Sequence, residues 1–558
     1  MSTGPSLPPR WLHGLGQLTR RKAASQFEAA AHDPAKAQEQ FLIGLLRANA
    51  QTEFGRSHGF ATLGSTRDFV QGVPLMTAAD LARWSDRLRQ GERHLLTAEP
   101  PRFYAITTGT AGVHKYVPVT ASYQAEFQRT VAIAFWHLYR RFPGAFTSKL
   151  LYFVGPRQVS VAPDGLDVGT MSGYNFTEMG PVIRALYAWP YELFQVADLE
   201  TRDYLALYLA ILGDISLITG VFPTSIVALL RGLETHAEAL ARDLREGTLK
   251  GAANLTTEQR RFFEAGLAPR RDLARRIERA AAAPVEEKAA EAFPRLRLAY
   301  CWTTSTAGLY VPELKRRLGP NVAVRDGIYA ATEAWCNVPM GDEEPGGPAA
   351  VTSVFLEFLP EVDRANGSMR TVLAHELVEG GRYFPVVTNS AGLYRYLLDD
   401  VVEVCGRYHA TPRIRFLRKM GAACNLVGEL MEESHATQAV SEVLGARGLE
   451  ATWFCMVADP SLLRYRLYLE LAPACDGLTD AAIADLIAPL EARLGEVNFS
   501  YALERQEGAL GRLEIRRVPI GRYLAWRQRR VSEGCGDAQL KAVHLLSDPD
   551  ELPREFTT

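Results

Sequence analysis

The chain has 558 residues, with 62 lysine or arginine side chains against 64 aspartate or glutamate. That length buries a large core in more than one ordinary domain, and the near-neutral balance gives no bulk field for nucleic acid or for an anionic membrane. Seven cysteines without a CxxC pair speak against a disulfide framework or a structural zinc site and for a reducing cytoplasm, while eleven dispersed histidines contain no H-E-x-x-H.

In chain order, Pro5, Pro8, Pro9 and scattered arginines come first, without the continuous apolar segment of a signal peptide. Up to about residue 100 apolar positions recur at helical spacing, as in AQEQFLIGLLRANA and AADLARWSDRLRQ, and Asp33-Pro34 reads as an N-cap with proline at the first helical position.

Residues 104–120, YAITTGTAGVHKYVPVT, then place a short strand before Thr107, Thr108, Gly109, Thr110 and Gly112, with Lys115 opening a second β-rich run. Glycines allow close backbone approach to a ligand, threonine hydroxyls and amides donate to phosphate oxygens, and a lysine holds phosphate as a point charge. The spacing is not that of a Walker loop, and a plain Gly/Thr turn between strands is the competing reading.

A long amphipathic helix is expected over 121–142 and a strand over 150–154, then a helix from Thr201, a strand over 215–222 and a helix from Pro223-Thr224-Ser225. The apolar run Tyr204 to Gly213 is too short to cross a bilayer. This alternation predicts a largely parallel sheet covered on both faces. Residues 265–292, rich in Arg, Glu and Ala, read as a solvated helix pair. Strands follow over 296–302, 322–329, 354–359 and 386–404, with a helix over 311–318. From about residue 419 the expected elements are a helix at 434–444, strands at 451–457 and 465–471, a helix at 480–494 and an arginine-rich tail. The fold class is therefore α/β: a large N-terminal domain, 1–418, with mostly parallel sheets flanked by helices plus a β-rich part, and a small α+β domain, 419–558.

Two more stretches carry chemistry. In Gly327-Ile328-Tyr329-Ala330-Ala331-Thr332-Glu333, small residues let a planar ring lie against backbone, Thr332 donates to phosphate, and Glu333 suits Mg²⁺, which favours one or two carboxylates plus phosphate oxygens; a capped helix start is the plainer alternative. In Tyr394-Arg395-Tyr396-Leu397-Leu398-Asp399-Asp400, an aspartate at a strand turn is placed to accept ribose hydroxyls. Lys541, in Gln539-Leu540-Lys541-Ala542-Val543, stands alone near the C-terminus.

In order and spacing these signals resemble the adenylate-forming enzymes, and within them the auxin-responsive Gretchen Hagen (GH3-type) family of acyl acid amido synthetases, particularly its bacterial members. The similarity runs through Phe54-Gly55-Arg56-Ser57-His58-Gly59-Phe60, Leu96-Thr97-Ala98-Glu99-Pro100-Pro101, Cys301-Trp302-Thr303, Ala331-Thr332-Glu333, Leu373-Ala374-His375-Glu376-Leu377, Gly392-Leu393-Tyr394-Arg395-Tyr396 and Leu426-Val427-Gly428-Glu429.

The resemblance implies that ATP and Mg²⁺ activate a carboxylic acid as its acyl-adenylate, with pyrophosphate released, before the acyl group passes to an amine, usually of an amino acid. It makes Thr107, Thr108, Gly109, Thr110 and Lys115 the phosphate loop, Tyr329, Thr332 and Glu333 the adenine, phosphate and metal contacts, and Asp400 the ribose contact. Arg418 and Lys419 would form the hinge of the small domain, and Lys541 would reach the reacting acid. The acyl pocket would include Phe222, Trp302 and Thr306, whose aromatic members favour an apolar or aromatic acid. Two alternatives are transfer to a thiol, of coenzyme A or a carrier protein, and a divergent nucleotide-binding protein without turnover. Where the family commonly has Gly-Gly-Ser after Cys-Trp-Thr, this chain has Thr304-Ser305-Thr306; Asp399 replaces a glycine, and Asn425 and Leu430 replace an aspartate and a lysine.

Overall fold

The computed structural model describes residues 9–107, 115–220, 222–419, 423–427, 429, 431–475, 477–506, 508–533, 540 and 542–557. The chain divides into two compact units between Leu417 and Arg418.

In the first unit, helices Pro9–His32, Pro34–Ala48, Thr66–Gly72 and Ala78–Arg89 form the N-terminal layer. Asp33 accepts from the Lys36 amide with Pro34 at the first position, and Thr77 and Asp80 close a reciprocal capping box. A hairpin follows, Phe103–Thr107 paired antiparallel with Lys115–Val119 in a register that ends on the rung Thr107 to Lys115. Thr120 then caps the helix Ala121–Arg141 by accepting from the Tyr123 amide.

The parallel sheet expected from the strand–helix alternation has the order Leu150–Tyr152, Leu217–Thr219, Leu298–Cys301, Ala323–Asp326. Its side chains alternate between two cores: Leu150, Leu217 and Leu298 belong to one, Leu151, Ile218 and Ala299 to the other. The second core is closed by helices Leu199–Gly213, Pro223–Glu246, Arg271–Ala282, Val285–Ala292 and Val311–Leu318. The pair within 265–292 is thus not merely solvated, since Leu273, Ala274, Ile277, Ala280, Ala289 and Ala292 are all buried. Alanine and arginine dominate its composition and mask the apolar stripe.

The β-rich part is a seven-stranded sheet in which Phe355–Pro360, Arg382–Thr388 and Asp400–Tyr408 lie side by side, antiparallel to their neighbours. Residues 386–404 are not one strand. Gly392 (φ 83°) and Arg395 (φ 51°) turn the chain out of the sheet and back, leaving the short strand Tyr396–Leu397 between two long ones. Gly392 has no substitute there, because a Cβ would stand 2.5 Å from Leu96 Cβ.

Arg395 is held in its left-handed conformation by a buried network. Its Nη2 lies 2.8 Å from Glu357 Oε1, Nη1 donates to the carbonyls of Val70 (2.6 Å) and Val73 (2.7 Å), and Nη2 also donates to Thr371 Oγ1 (3.0 Å). Neighbouring Tyr394 stacks on Phe54 at 4.9 Å and donates to Leu96 O. The loop therefore locks the N-terminal helical layer to the sheet.

The second unit has a four-stranded sheet in the order Glu514–Arg517, Arg464–Leu471, Ala451–Asp459, Leu545–Leu546. Along its central strand Phe454, Met456 and Ala458 face a core with helices Glu433–Ala446 and Ile487–Val497, and Trp453, Cys455 and Val457 face another with Tyr523, Trp526 and Phe556. The helix expected over 480–494 is two, Asp480–Ala484 and Ile487–Val497. Among the described residues no helix is long and apolar enough to cross a membrane.

Glu357 is fully buried, so Glu357→Gln leaves the Arg395 cation uncompensated. Removing one partner of such a pair costs about 3–5 kcal/mol. Amide exchange in the strands Phe355–Pro360 and Arg382–Thr388, followed by mass spectrometry, is expected to speed up accordingly.

Candidate active site

The hairpin rung Thr107 to Lys115 brackets the expected phosphate loop and sets Lys115 at its exit. Thr108, Gly109 and Thr110 lie outside the described residues, as does the side chain of Thr107. Lys115 Nζ stands 4.0 Å from Glu333 Oε1 and donates to Tyr396 Oη at 3.3 Å. Three segments distant in sequence thus meet at one cation.

Glu333 is buried, and its turn is fixed from behind. Residues 327–333 are not a helix start; the chain turns back at once, with a bridge between Ala330 and Trp335. Tyr123 Oη donates to the Thr332 carbonyl at 2.7 Å, and Asn389 Nδ2 to the Glu333 carbonyl at 2.7 Å. The Tyr329 amide donates to Asn337 Oδ1 at 2.7 Å, and its hydroxyl to Asp400 Oδ2 at 2.6 Å. Burial first, and then the Asp400 charge, hold the Tyr329 hydroxyl well above its usual range, so it remains a donor. Asp399 instead turns outward to Arg364 Nη2, 3.4 Å away.

Beside this cluster the aromatic rings are linked. Phe222 meets Trp302 edge-on at 5.3 Å, Trp302 lies 6.4 Å from Phe416, and Phe416 lies 5.5 Å from Tyr329. Two of the expected acyl-pocket residues are therefore in contact, and a row of rings joins them to the Tyr329–Asp400 pair. The side chain of Thr306 lies outside the described residues. Trp302 is fixed by its Nε1 donating to Ile328 O at 2.6 Å, while Asp326 accepts from the Thr303 amide (2.8 Å), Thr303 Oγ1 (3.0 Å) and the Gly346 amide (2.8 Å).

Of the expected hinge residues, Arg418 begins the second unit and its Nε pairs with Glu432 Oε1 at 3.2 Å; Lys419 ends the strand Thr411–Lys419. Leu430 and Lys541 lie outside the described residues. Glu429 is a turn-former, accepting from the amides of Leu426 (2.8 Å) and Val427 (2.9 Å) and from Tyr465 Oη.

The sequence reading missed Tyr396, Asn389, Phe416 and Glu126. Tyr396 sits inside a recognised motif, but the other three reach the site through partners far away in sequence. Glu126, on the helix after the hairpin, is buried and accepts from Ser390 Oγ (2.5 Å) and the Ser390 amide (3.3 Å), one residue from Asn389. Burial is the dominant influence and pushes its carboxyl up to about 8.

Three family models match: the GH3 family N-terminal domain over residues 23–324, the central domain over 348–419 and the C-terminal domain over 434–550. Among curated proteins the chain is 25% identical to the jasmonoyl–L-amino acid synthetase JAR4 of Nicotiana attenuata, covering 93% of this chain and 92% of that one. It is 24% identical to the probable indole-3-acetic acid-amido synthetase GH3.2 of Oryza sativa subsp. japonica, over 91% of this chain and 88% of that one. Among solved structures, AtGH3.15 acyl acid amido synthetase in complex with 2,4-DB superposes with a TM-score of 0.83 at 22% identity, over 96% of this chain and 95% of that one.

Two substitutions probe this architecture. Ser305 has φ 55° where the resembling family commonly carries glycine; Ser305→Gly relieves about 1–2 kcal/mol of left-handed strain against about 0.5–1 kcal/mol of added chain entropy. The unfolding free energy is expected to rise by the difference, up to about 1.5 kcal/mol, read as a higher urea midpoint at constant slope. For Glu126 a carboxyl raised in the folded state binds a proton that the unfolded chain has released. Stability therefore falls as pH rises from the ordinary carboxylate range through about 8. Urea midpoints measured from pH 5 to pH 9 are expected to show a loss of a few kcal/mol, on the order set by about 1.4 kcal/mol per pKa unit, which Glu126→Gln flattens.

Proposed function

Because the chain belongs to the GH3 family, we propose that it activates a small carboxylic acid with ATP as an acyl-adenylate, releasing pyrophosphate, and then transfers the acyl group to the amine of an amino acid as an amide. The observation that carries this reading is the convergence of Lys115, Glu333 and Tyr396 at the mouth of the Thr107–Lys115 hairpin. The named curated relatives are from plants; placement in a bacterial branch is part of the proposal and rests on Leu426-Val427-Gly428-Glu429, whose neighbours Asn425 and Leu430 depart from that pattern.

In the first step the substrate carboxylate attacks the α-phosphorus of ATP in line and pyrophosphate leaves. Little covalent help is needed, so positioning and charge stabilisation carry the barrier. Thr107, Thr108, Gly109, Thr110 and Lys115 hold the phosphates, with Lys115 released from its long contact with Glu333 toward the incoming anion. Thr332 donates to phosphate, the Tyr329 ring lies against adenine, and Asp400, oriented by the Tyr329 hydroxyl, accepts from the ribose. Lys541 neutralises the reacting acid.

A magnesium ion fits the donor set at this turn: Glu333 is a carboxylate whose backbone carbonyl is held by Asn389, leaving phosphate oxygens as its natural co-ligands. When bound, the ion supplies charge neutralisation of the phosphates. Phe222, Trp302 and Thr306 wall the acyl pocket, and the Phe222–Trp302 contact favours an apolar or aromatic acid. Residues 1–418 form the adenylating domain, 419–558 the small domain, and Arg418 and Lys419 the hinge through which Lys541 is withdrawn before the amine attacks. The cytoplasm suits this chemistry, in keeping with six free cysteines among the described residues.

Acid-dependent exchange of labelled pyrophosphate into ATP tests the proposal. Across aryl, indolyl and fatty acids, exchange is expected with one class, falling about a hundredfold or more in Lys115→Ala, Glu333→Ala and Lys541→Ala. Mass spectrometry of product mixtures offered amino acids or coenzyme A then separates amide from thioester formation. ATP binding without exchange for any acid would sink the catalytic reading.

A further inference from the structure

Glu28, His32 and His409 form a separate cluster in the first unit. One donor atom from each lies within 4.8 Å of the other two. Glu28 and His32 are four residues apart on the helix Pro9–His32 and so share a face, and His409 comes from the tight turn between the strands Asp400–Tyr408 and Thr411–Lys419. The two imidazole rings stack at 3.8 Å, and His409 Nε2 lies 2.6 Å from Glu28 Oε1.

The assembly is held independently of these contacts. The Ala410 amide donates to the Ala31 carbonyl at 3.0 Å, as does Thr411 Oγ1 at 3.2 Å, which ties the turn to the helix end by groups outside the cluster. Tyr408 donates to Glu28 Oε2 and thereby orients Oε1 toward His409. His409 itself has φ 52°, a left-handed position that glycine or asparagine occupies at less cost. Nearby, the buried Nε2 of His137 has no hydrogen-bond partner, and its ring lies within range of the Glu28 charge.

We propose that Glu28, His32 and His409 bind a late first-row divalent metal ion, with zinc as the reference, at the junction of the first helix and this hairpin. Two imidazoles and a carboxylate are a donor set for such an ion, and the phenol on the second carboxylate oxygen is the outer support that ligands of this kind use. Bonds of about 2.0–2.1 Å require the donors to draw closer than they stand, which for two exposed imidazoles is a side-chain rotation. The turn and the helix end are already in place. The ion would clamp the N-terminal helix to the sheet.

The test uses the full chain stripped with chelator, then titrated with Co²⁺ for its visible absorption and with Zn²⁺ against a chromogenic chelator, in excess Mg²⁺ to occupy carboxylate–phosphate sites. One equivalent is expected, with affinity falling at least about tenfold in His32→Gln, in His409→Asn, which tolerates the left-handed turn, and in Tyr408→Phe. His236→Gln, outside the cluster, serves as control, and far-ultraviolet circular dichroism confirms folding of each variant. Absence of stoichiometric binding by the wild-type protein, or equal binding by folded His32→Gln and His409→Asn, would overturn the assignment.

Discussion

The buried ion pair between Arg395 and Glu357 is the constraint from which the candidate site hangs. Two charges taken from water are tolerable only when their remaining hydrogen-bonding capacity is met, and here the guanidinium is engaged by a carboxylate, a hydroxyl and two backbone carbonyls. That arrangement fixes a non-glycine residue in the left-handed region. Once Arg395 is fixed, its neighbours have little freedom: Tyr394 enters the helical layer, Tyr396 reaches Lys115, and Asn389 holds the Glu333 carbonyl. One loop therefore serves as both structural lock and frame of the site.

The electrostatic setting follows from that packing. Glu333, Asp400 and Glu126 are all buried, and a carboxylate in a poorly solvated place interacts more strongly with the nearest cation than it would in water. The solutions differ. Glu126 takes two bonds from Ser390 and a raised proton affinity, Asp400 takes a phenol, and Glu333 faces Lys115 across 4.0 Å. The contact of Glu333 with its cation is a long one.

Much of this was legible in the sequence where the cause is local. Asp33-Pro34 and the run after Thr120 announced helix starts because capping is satisfied within three residues, and the alternation of short apolar runs with helical periods gave the parallel sheet. The gap within 386–404 was not legible, since arginine carries no signal for a left-handed backbone when tertiary partners impose it. Asn389, Phe416 and Glu126 were equally silent: each acts on a residue far away in sequence, and an asparagine that pins a carbonyl looks the same as one in any turn. In 265–292, composition concealed an apolar stripe built from alanines.

The rung between Thr107 and Lys115 also has an evolutionary corollary. A loop whose ends are fixed by a strand pair gains closure cost only slowly with length, about 0.6 kcal/mol per doubling, so insertions between those ends are cheap. A single deletion inside the strand Lys115–Val119 is different, because side chains alternate with period two and a one-residue slip turns those before it to the opposite face. It would carry Lys115 from the Glu333 side of the hairpin to the other. Length change in the rails is thus closed off by register itself, whereas between them chain closure sets little limit and the phosphate-holding role proposed for Thr108, Gly109 and Thr110 is what restricts it.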